Sequence, residues 1–311
     1  MAENARANHS ALGGIRLVLG GNVFGWTIDR DRSFAVLDAF YEAGGRMIDT
    51  AEGYSSWVPG NKGGESEAII GAWMEARGVR RDMLVGTKTG MGGPAGALKP
   101  EKVAAALEGS LDRLRTDYVD LYYIHRDDLV TPLDEVVEAY DAPLRAGKVR
   151  ELGVSNYAPD RLRQLNGTAK RLGAKSFTIA QPLYNLVARD EYEGKLQQLC
   201  IAEDIAVLPY YGLAAGFLSG KYASSADWGG SPRASSLEDA AANGGWAILG
   251  GLREAATSLD ATPAQVALAW LNAQPGIAAP LASATSVEQV ADLVRAASLD
   301  LAPEHLDRLN G

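Results

Sequence analysis

Cysteine is almost absent from this 311-residue chain. Cys200 stands alone, so no intrachain disulfide can form. It lies in LQQLCIAEDIAV among apolar residues at helical spacing, the setting of a small buried core residue. No base is evident nearby that would make it a nucleophile. Net positive charge is lacking too. Lys and Arg total 30 against 39 Asp and Glu, a formal charge of −9. An acidic surface argues against nucleic acid, an anionic membrane or heparin as the main partner, while leaving room for a local basic pocket that holds a phosphate. No run reaches the ~18 apolar residues that span a bilayer. The opening MAENARANHSALGG has no apolar core of a secretory signal, so an intracellular, cytoplasmic protein is expected. Histidine is scarce, and of the three only His125 falls in a predicted strand.

What is present is an alternation. Short apolar runs recur at Leu17–Gly21, Arg46–Asp49, Met83–Lys88, Val119–His125, Val149–Ser155, Phe177–Gln181, Ala206–Tyr210 and Ile277–Leu281. Runs such as VDLYYI are apolar on successive residues, as strands buried on both faces of a parallel sheet must be. Helical periodicity fills the gaps. Start signals are Ser33, Pro100, Pro132, Pro263 and Ser286, stops are Gly44 and Gly147, and a kink or early end is expected at Pro143. Eight strands, most followed by a helix, predict a (β/α)8 TIM barrel filling residues 1–311 as one domain. A doubly wound open sheet would need a phosphate-binding glycine fingerprint after the first strand, and LGGNVFG does not match it. Tyr222–Gly245 is long, rich in Ser, Ala and Gly, and weakly periodic. It reads as a lid or clamp on the active-site face, or as a passive insertion.

Three strand ends carry polar residues: Asp49 and Tyr54 in MIDTAEGY, Lys88 in LVGTKTG, His125 in LYYIHRD. In a barrel such ends open on one face, where barrel active sites sit. Tyr54 would be a general acid. A free phenol has a pKa near ~10, and a nearby ammonium, Lys88, lowers it. Asp49 would pair with Lys88, and His125 would orient a substrate oxygen. Each has a plainer reading alone: a cap, a loop aromatic, a solvated charge, a satisfied core histidine. Their joint placement favours proton-transfer chemistry, with a bound hydride donor lowering the rest of the barrier.

These segments, with GGESEAIIG, GKVRELGVSNY, AQPLYN, LPYYGLAAGFLSGKY and APLASATSVEQV, resemble the aldo-keto reductases from about Leu17 to Leu299. The resemblance implies reduction of a small-molecule aldehyde or ketone with NADP(H), NAD(H) being the alternative. It implies that Ser155, Asn156 and Gln181 hold the nicotinamide carboxamide and that Tyr210 stacks on the ring, with Gly21, Asn22, Asp49 and Tyr211 close by. Gly212, Leu213, Ala215 and Gly216 would follow the pyrophosphate, Lys221 and Arg233 would pair with phosphate, and Ser283, Thr285, Gln289 and Asp292 would meet the adenosine end. Many relatives have a basic residue where Thr285 stands, which leaves NADP(H) preference to Lys221 and Arg233. Trp26, Trp57 and Tyr123 would wall an apolar substrate pocket, with Trp246 as an addition. Two other readings stand beside the reductase: a non-enzymatic nucleotide-binding accessory subunit, and a Schiff-base lyase using Lys88, which would need a lysine with no close carboxylate.

Overall fold

The computed structural model describes residues 12–92 and 95–310; most of the opening segment read above for a leader lies outside them. Eight parallel strands follow one another around a curled sheet. They are β1 (Val18–Gly20), β2 (Met47–Asp49), β3 (Leu84–Thr89), β4 (Val119–Ile124), β5 (Val149–Ser155), β6 (Ile179–Gln181), β7 (Ala206–Val207) and β8 (Leu281–Ala282). β1 lies between β2 and β8. The ring closes where Val207 bridges Ile277, with the Ala278 N–H donating to the Val207 carbonyl at 2.9 Å. This is the expected (β/α)8 barrel.

Register places the polar residues. Gly20 pairs with Asp49, Asp49 with Gly86, Lys88 with Tyr123, and Ser155 with Gln181. The polar members Asp49, Lys88, Ser155 and Gln181 all lie at or next to the C-terminal ends of their strands. The barrel interior is a small apolar cluster of Val18, Met47, Leu121, Tyr123, Ile179, Leu208 and Leu281 with their neighbours. The Tyr123 ring fills the space above Gly153, where a Cβ would come within 2.6 Å of it. The larger core lies between strands and outer helices, where Leu19, Ile48 and Val85 meet residues such as Val36, Phe40, Ile70 and Leu107.

The outer helices are α1 (Arg30–Glu42), α2 (Glu65–Arg77), α3 (Pro100–Leu114), α4 (Leu133–Arg145), α5 (Pro159–Leu172), α6 (Lys195–Ala202), α7 (Ala234–Ala240), α8 (Trp246–Ser258), α9 (Pro263–Asn272), α10 (Val287–Ser298) and α11 (Pro303–Asn310). Proline opens α3, α5 and α9, where a missing N–H costs nothing. Thr262 and Gln265 form a reciprocal cap on α9. α1 begins earlier than expected: Asp29 caps it, accepting from the Arg32 N–H at 2.9 Å, and Ser33 turns its hydroxyl back to the Asp29 carbonyl. Pro143 sits in the last turn of α4, which ends two residues later at Arg145. Cys200 on α6 is fully buried, and burial pushes its thiol up to about 12. Among the described residues no helix is long and apolar enough to cross a membrane.

The segment read as a loose loop has structure. It forms a 3₁₀ turn at Ser225–Trp228, then α7, then a wide turn at Ala241–Gly245. Trp228 stacks on Trp246 at 5.8 Å, and Trp246 meets Phe217 at 4.8 Å. This aromatic anchor faces away from the cavity, so Trp246 is not one of its walls.

Candidate active site

Lys88 is fully buried at the top of the inner cluster. Its three ammonium hydrogens have three acceptors: Asp49 Oδ2 at 2.5 Å, the Thr50 carbonyl at 2.8 Å and Tyr54 Oη at 3.0 Å. Burial lowers its pKa, and Asp49 opposes that. The Asp49 carboxylate is fully used as well: Oδ1 accepts from Gln181 Nε2 at 2.9 Å, and Oδ2 also receives a long bond from the Tyr54 hydroxyl at 3.5 Å. The close carboxylate speaks against a Schiff-base lysine.

Tyr54 corrects an expectation. Its ring is partly exposed, but its hydroxyl sits at the closed end between Lys88 and Asp49. Burial, then the charge of Asp49, hold its pKa well above the ordinary phenol value, although Lys88 was expected to lower it. Tyr54 therefore keeps its proton at neutral pH, with an ammonium hydrogen already on the oxygen where phenolate charge would develop. His125 lies beside it, ring centres 6.0 Å apart. Burial first, then the charges of Lys88 and Arg126, hold His125 well below its ordinary pKa, so the imidazole is neutral.

Next to this group is a shelf of amides and hydroxyls. Ser155 Oγ donates to the Gln181 carbonyl at 2.8 Å. Asn156 Nδ2 donates to the His125 carbonyl at 2.9 Å and to Ser155 Oγ at 3.1 Å, while the Tyr210 hydroxyl donates to Asn156 Oδ1 at 2.8 Å. Both Asn156 amide hydrogens are engaged, so its remaining capacity is as an acceptor.

Beyond Tyr210 the chain turns through left-handed conformations at Tyr211, Ala214, Ala215 and Gly216, three of them without glycine's freedom. Such concavities of backbone N–H groups accept anions. Lys221 makes no ion pair among the described residues, and its Nζ lies 3.3 Å from where a Cβ on Gly216 would stand. Arg233 stacks over Trp26 at 5.1 Å, and its buried Nη2 has no partner. At the far end Thr285 gives its N–H and hydroxyl to Gln289 Oε1, Asp292 accepts from Gln265 at 2.8 Å, and Ser283 donates to Asn22 at 2.6 Å. An orphaned guanidinium hydrogen and an ammonium without an ion pair suit a diphosphate.

One cavity of about 720 Å³ joins these parts and brings most of the expected residues together. Trp26 and Trp57 wall it edge to face at 5.3 Å, and Tyr54 meets Trp57 at 6.3 Å. Lys88 lies beneath it. Besides Lys88 and Trp246, two expected residues do not line it. Tyr123 points into the barrel under Lys88, whose Nζ is 5.6 Å from its ring centre. Gly21 faces Ser66 and the Asp49 backbone, and Gly20 lines the cavity instead. Sequence reasoning missed Met91, Arg126 and Thr262 as lining residues. Arg126 had a signal, as a cation directly after His125; the others lie in loops with none.

A parallel (β/α)8 barrel with an acid, a phenol, an amine and an imidazole at the C-terminal face defines a barrel enzyme class. The chain matches the aldo/keto reductase family over residues 16–311. It is 33% identical over 307 residues to the uncharacterized oxidoreductase YrpG of Bacillus subtilis, covering 95% of this chain and 91% of that one. It is 36% identical over 203 residues to an NADP(+) aryl-alcohol dehydrogenase of Phanerodontia chrysosporium, 61% of this chain and 51% of that one. It is also 30% identical over 301 residues to a probable voltage-gated potassium channel subunit beta of Oryza sativa subsp. japonica, 92% of this chain and 88% of that one. The chain belongs to the aldo/keto reductase family.

Proposed function

We propose that this protein, acting as one barrel domain in the cytoplasm, reduces an aromatic aldehyde or ketone to an alcohol with NADP(H). The observation that carries the reading is Lys88 donating to the oxygen of a protonated Tyr54 at 3.0 Å. When bound, the reduced nicotinamide supplies the hydride that the carbonyl carbon takes up. Tyr54 gives its proton to the carbonyl oxygen, and Lys88 stabilises the phenolate left behind. Neutral His125 donates a hydrogen bond to the same oxygen and orients it. Asp49 holds Lys88 in place and compensates its burial. Ser155 and Gln181, with Asn156 as acceptor, hold the carboxamide. Tyr210 carries the ring, and Lys221 and Arg233 pair with phosphate. Likeness to an aryl-alcohol dehydrogenase supports an aromatic substrate. NADPH is preferred to NADH through Lys221 and Arg233, and equal affinities in a fluorescence titration would remove that preference.

A panel of aldehydes and ketones followed by NADPH absorbance tests the activity, with Tyr54→Phe as control. Loss of the proton donor should lower turnover by ~10²–10⁴-fold. Full activity in the control removes Tyr54 as the acid. The likeness to a channel β subunit favours a second reading, a nucleotide-binding accessory subunit. Tight NADPH binding without turnover on any substrate would support it.

A further inference from the structure

The cavity wall beside His125 carries a cation that the proposed reaction does not use. Arg126 is exposed and lines the same cavity as Tyr54, Trp26 and Trp57. It makes no ion pair among the described residues. The acids nearest to it in sequence are engaged elsewhere. Asp127 takes Arg161 Nε at 2.6 Å. Asp128 accepts from the backbone of Leu98, Val130 and Thr131 and from the Thr131 hydroxyl. Glu52, a residue of the loop that carries Tyr54, accepts from the Thr89 hydroxyl and the Gly90 N–H. Asp49 has both oxygens occupied. This end of the cavity therefore combines aromatic walls with Arg126, and Arg233 stacks over one of those walls, Trp26. Glu191 is the acid that shares an adjoining pocket with Arg126, without an ion pair to it, on a protein whose formal charge is −9. A positive site in a negative field serves no general attraction of anions; it discriminates at short range.

We propose that Arg126 selects an aromatic carbonyl substrate that bears a carboxylate, the ring lying against Trp26 and Trp57 and the carboxylate pairing with the guanidinium. The planar guanidinium fork matches a carboxylate with two parallel hydrogen bonds. The indole walls provide the ring's apolar contact and edge-to-face partners. The inference rests on the reductase reading above, and its test separates the two.

Steady-state reduction of 4-carboxybenzaldehyde and 4-methylbenzaldehyde is compared in the wild type, Arg126→Met and Arg126→Lys. A charge-assisted pair predicts that Arg126→Met lowers the ratio of kcat/KM for the carboxylated over the neutral aldehyde roughly tenfold or more, through KM. Arg126→Lys should keep part of the ratio. A second readout needs no turnover: quenching of tryptophan fluorescence by 4-(hydroxymethyl)benzoate, with Arg126→Met weakening its affinity by a similar factor. An unchanged ratio, or equal losses on both aldehydes, overturns the role of Arg126. Arg126-dependent binding of 4-(hydroxymethyl)benzoate without reduction of either aldehyde keeps the anion site and overturns the reductase.

Discussion

The two ends of the cavity are built on opposite principles. At the proposed proton-donor end the buried charges, unlike the exposed Arg126 on the wall, are answered from within the protein: Lys88 has three acceptors, and the two Asp49 oxygens take Lys88, Gln181 and Tyr54. At the proposed phosphate end a charge is left open, with Arg233 Nη2 buried and unpartnered. The first end is finished before any ligand arrives. On the proposed function, the second would be completed by its ligand. Substitutions at the first should therefore appear in stability and catalysis together, and those at the second in cofactor affinity alone.

Lys88→Met tests the first half most severely. It strands a buried carboxylate and should cost about 3–5 kcal/mol in denaturant unfolding. Adding Asp49→Asn should recover part of the loss, because the stranded charge goes with it. A single variant as stable as the wild type would break the contrast. Arg233→Ala tests the second half: NADPH affinity should fall roughly tenfold, while the melting temperature moves little or rises, since a buried unpaired group is removed. A large loss of stability there would show that Arg233 is structural.

The smallest effect concerns His125. Its folded pKa is depressed, so between the unfolded value of ~6.5 and the lower folded value the unfolded state binds the extra proton. Stability should therefore decline as pH falls below ~6.5, by on the order of 1 kcal/mol toward pH 5. His125→Gln should flatten that part of the melting curve against pH. Identical slopes in both proteins would place the acid sensitivity elsewhere.

Asp49, Tyr54, Lys88 and His125 were legible because strand ends in a parallel barrel share a face whatever the details of packing. Side-chain direction was less so. Strands of three residues give too little alternation to fix parity, and Gly20 rather than Gly21 faces the cavity. Tyr123 sits one residue pair from its expected role because Gly153 opens space for its ring inside the barrel. Ser33 looked like the start of α1 because it precedes the apolar periodicity, but Asp29 lies one turn earlier. The helical pieces between Tyr222 and Gly245 were hidden because their order depends on contacts among Phe217, Trp228 and Trp246, far apart in sequence. The sign of the Tyr54 shift was hidden for a related reason. It depends first on how deeply the phenol is buried and then on the nearby Asp49 charge, neither of which a local sequence pattern gives.

One carboxylate joins side chains from opposite parts of the barrel rim. Asp49 on β2 grips Lys88 from β3 with one oxygen and Gln181 from β6 with the other. It acts as a tie-rod across the mouth, fixing the gap between the proposed seat of the proton donor and the proposed seat of the cofactor amide. On the proposed function, such a brace would hold the spacing of two bound reactants whatever the surrounding loops do.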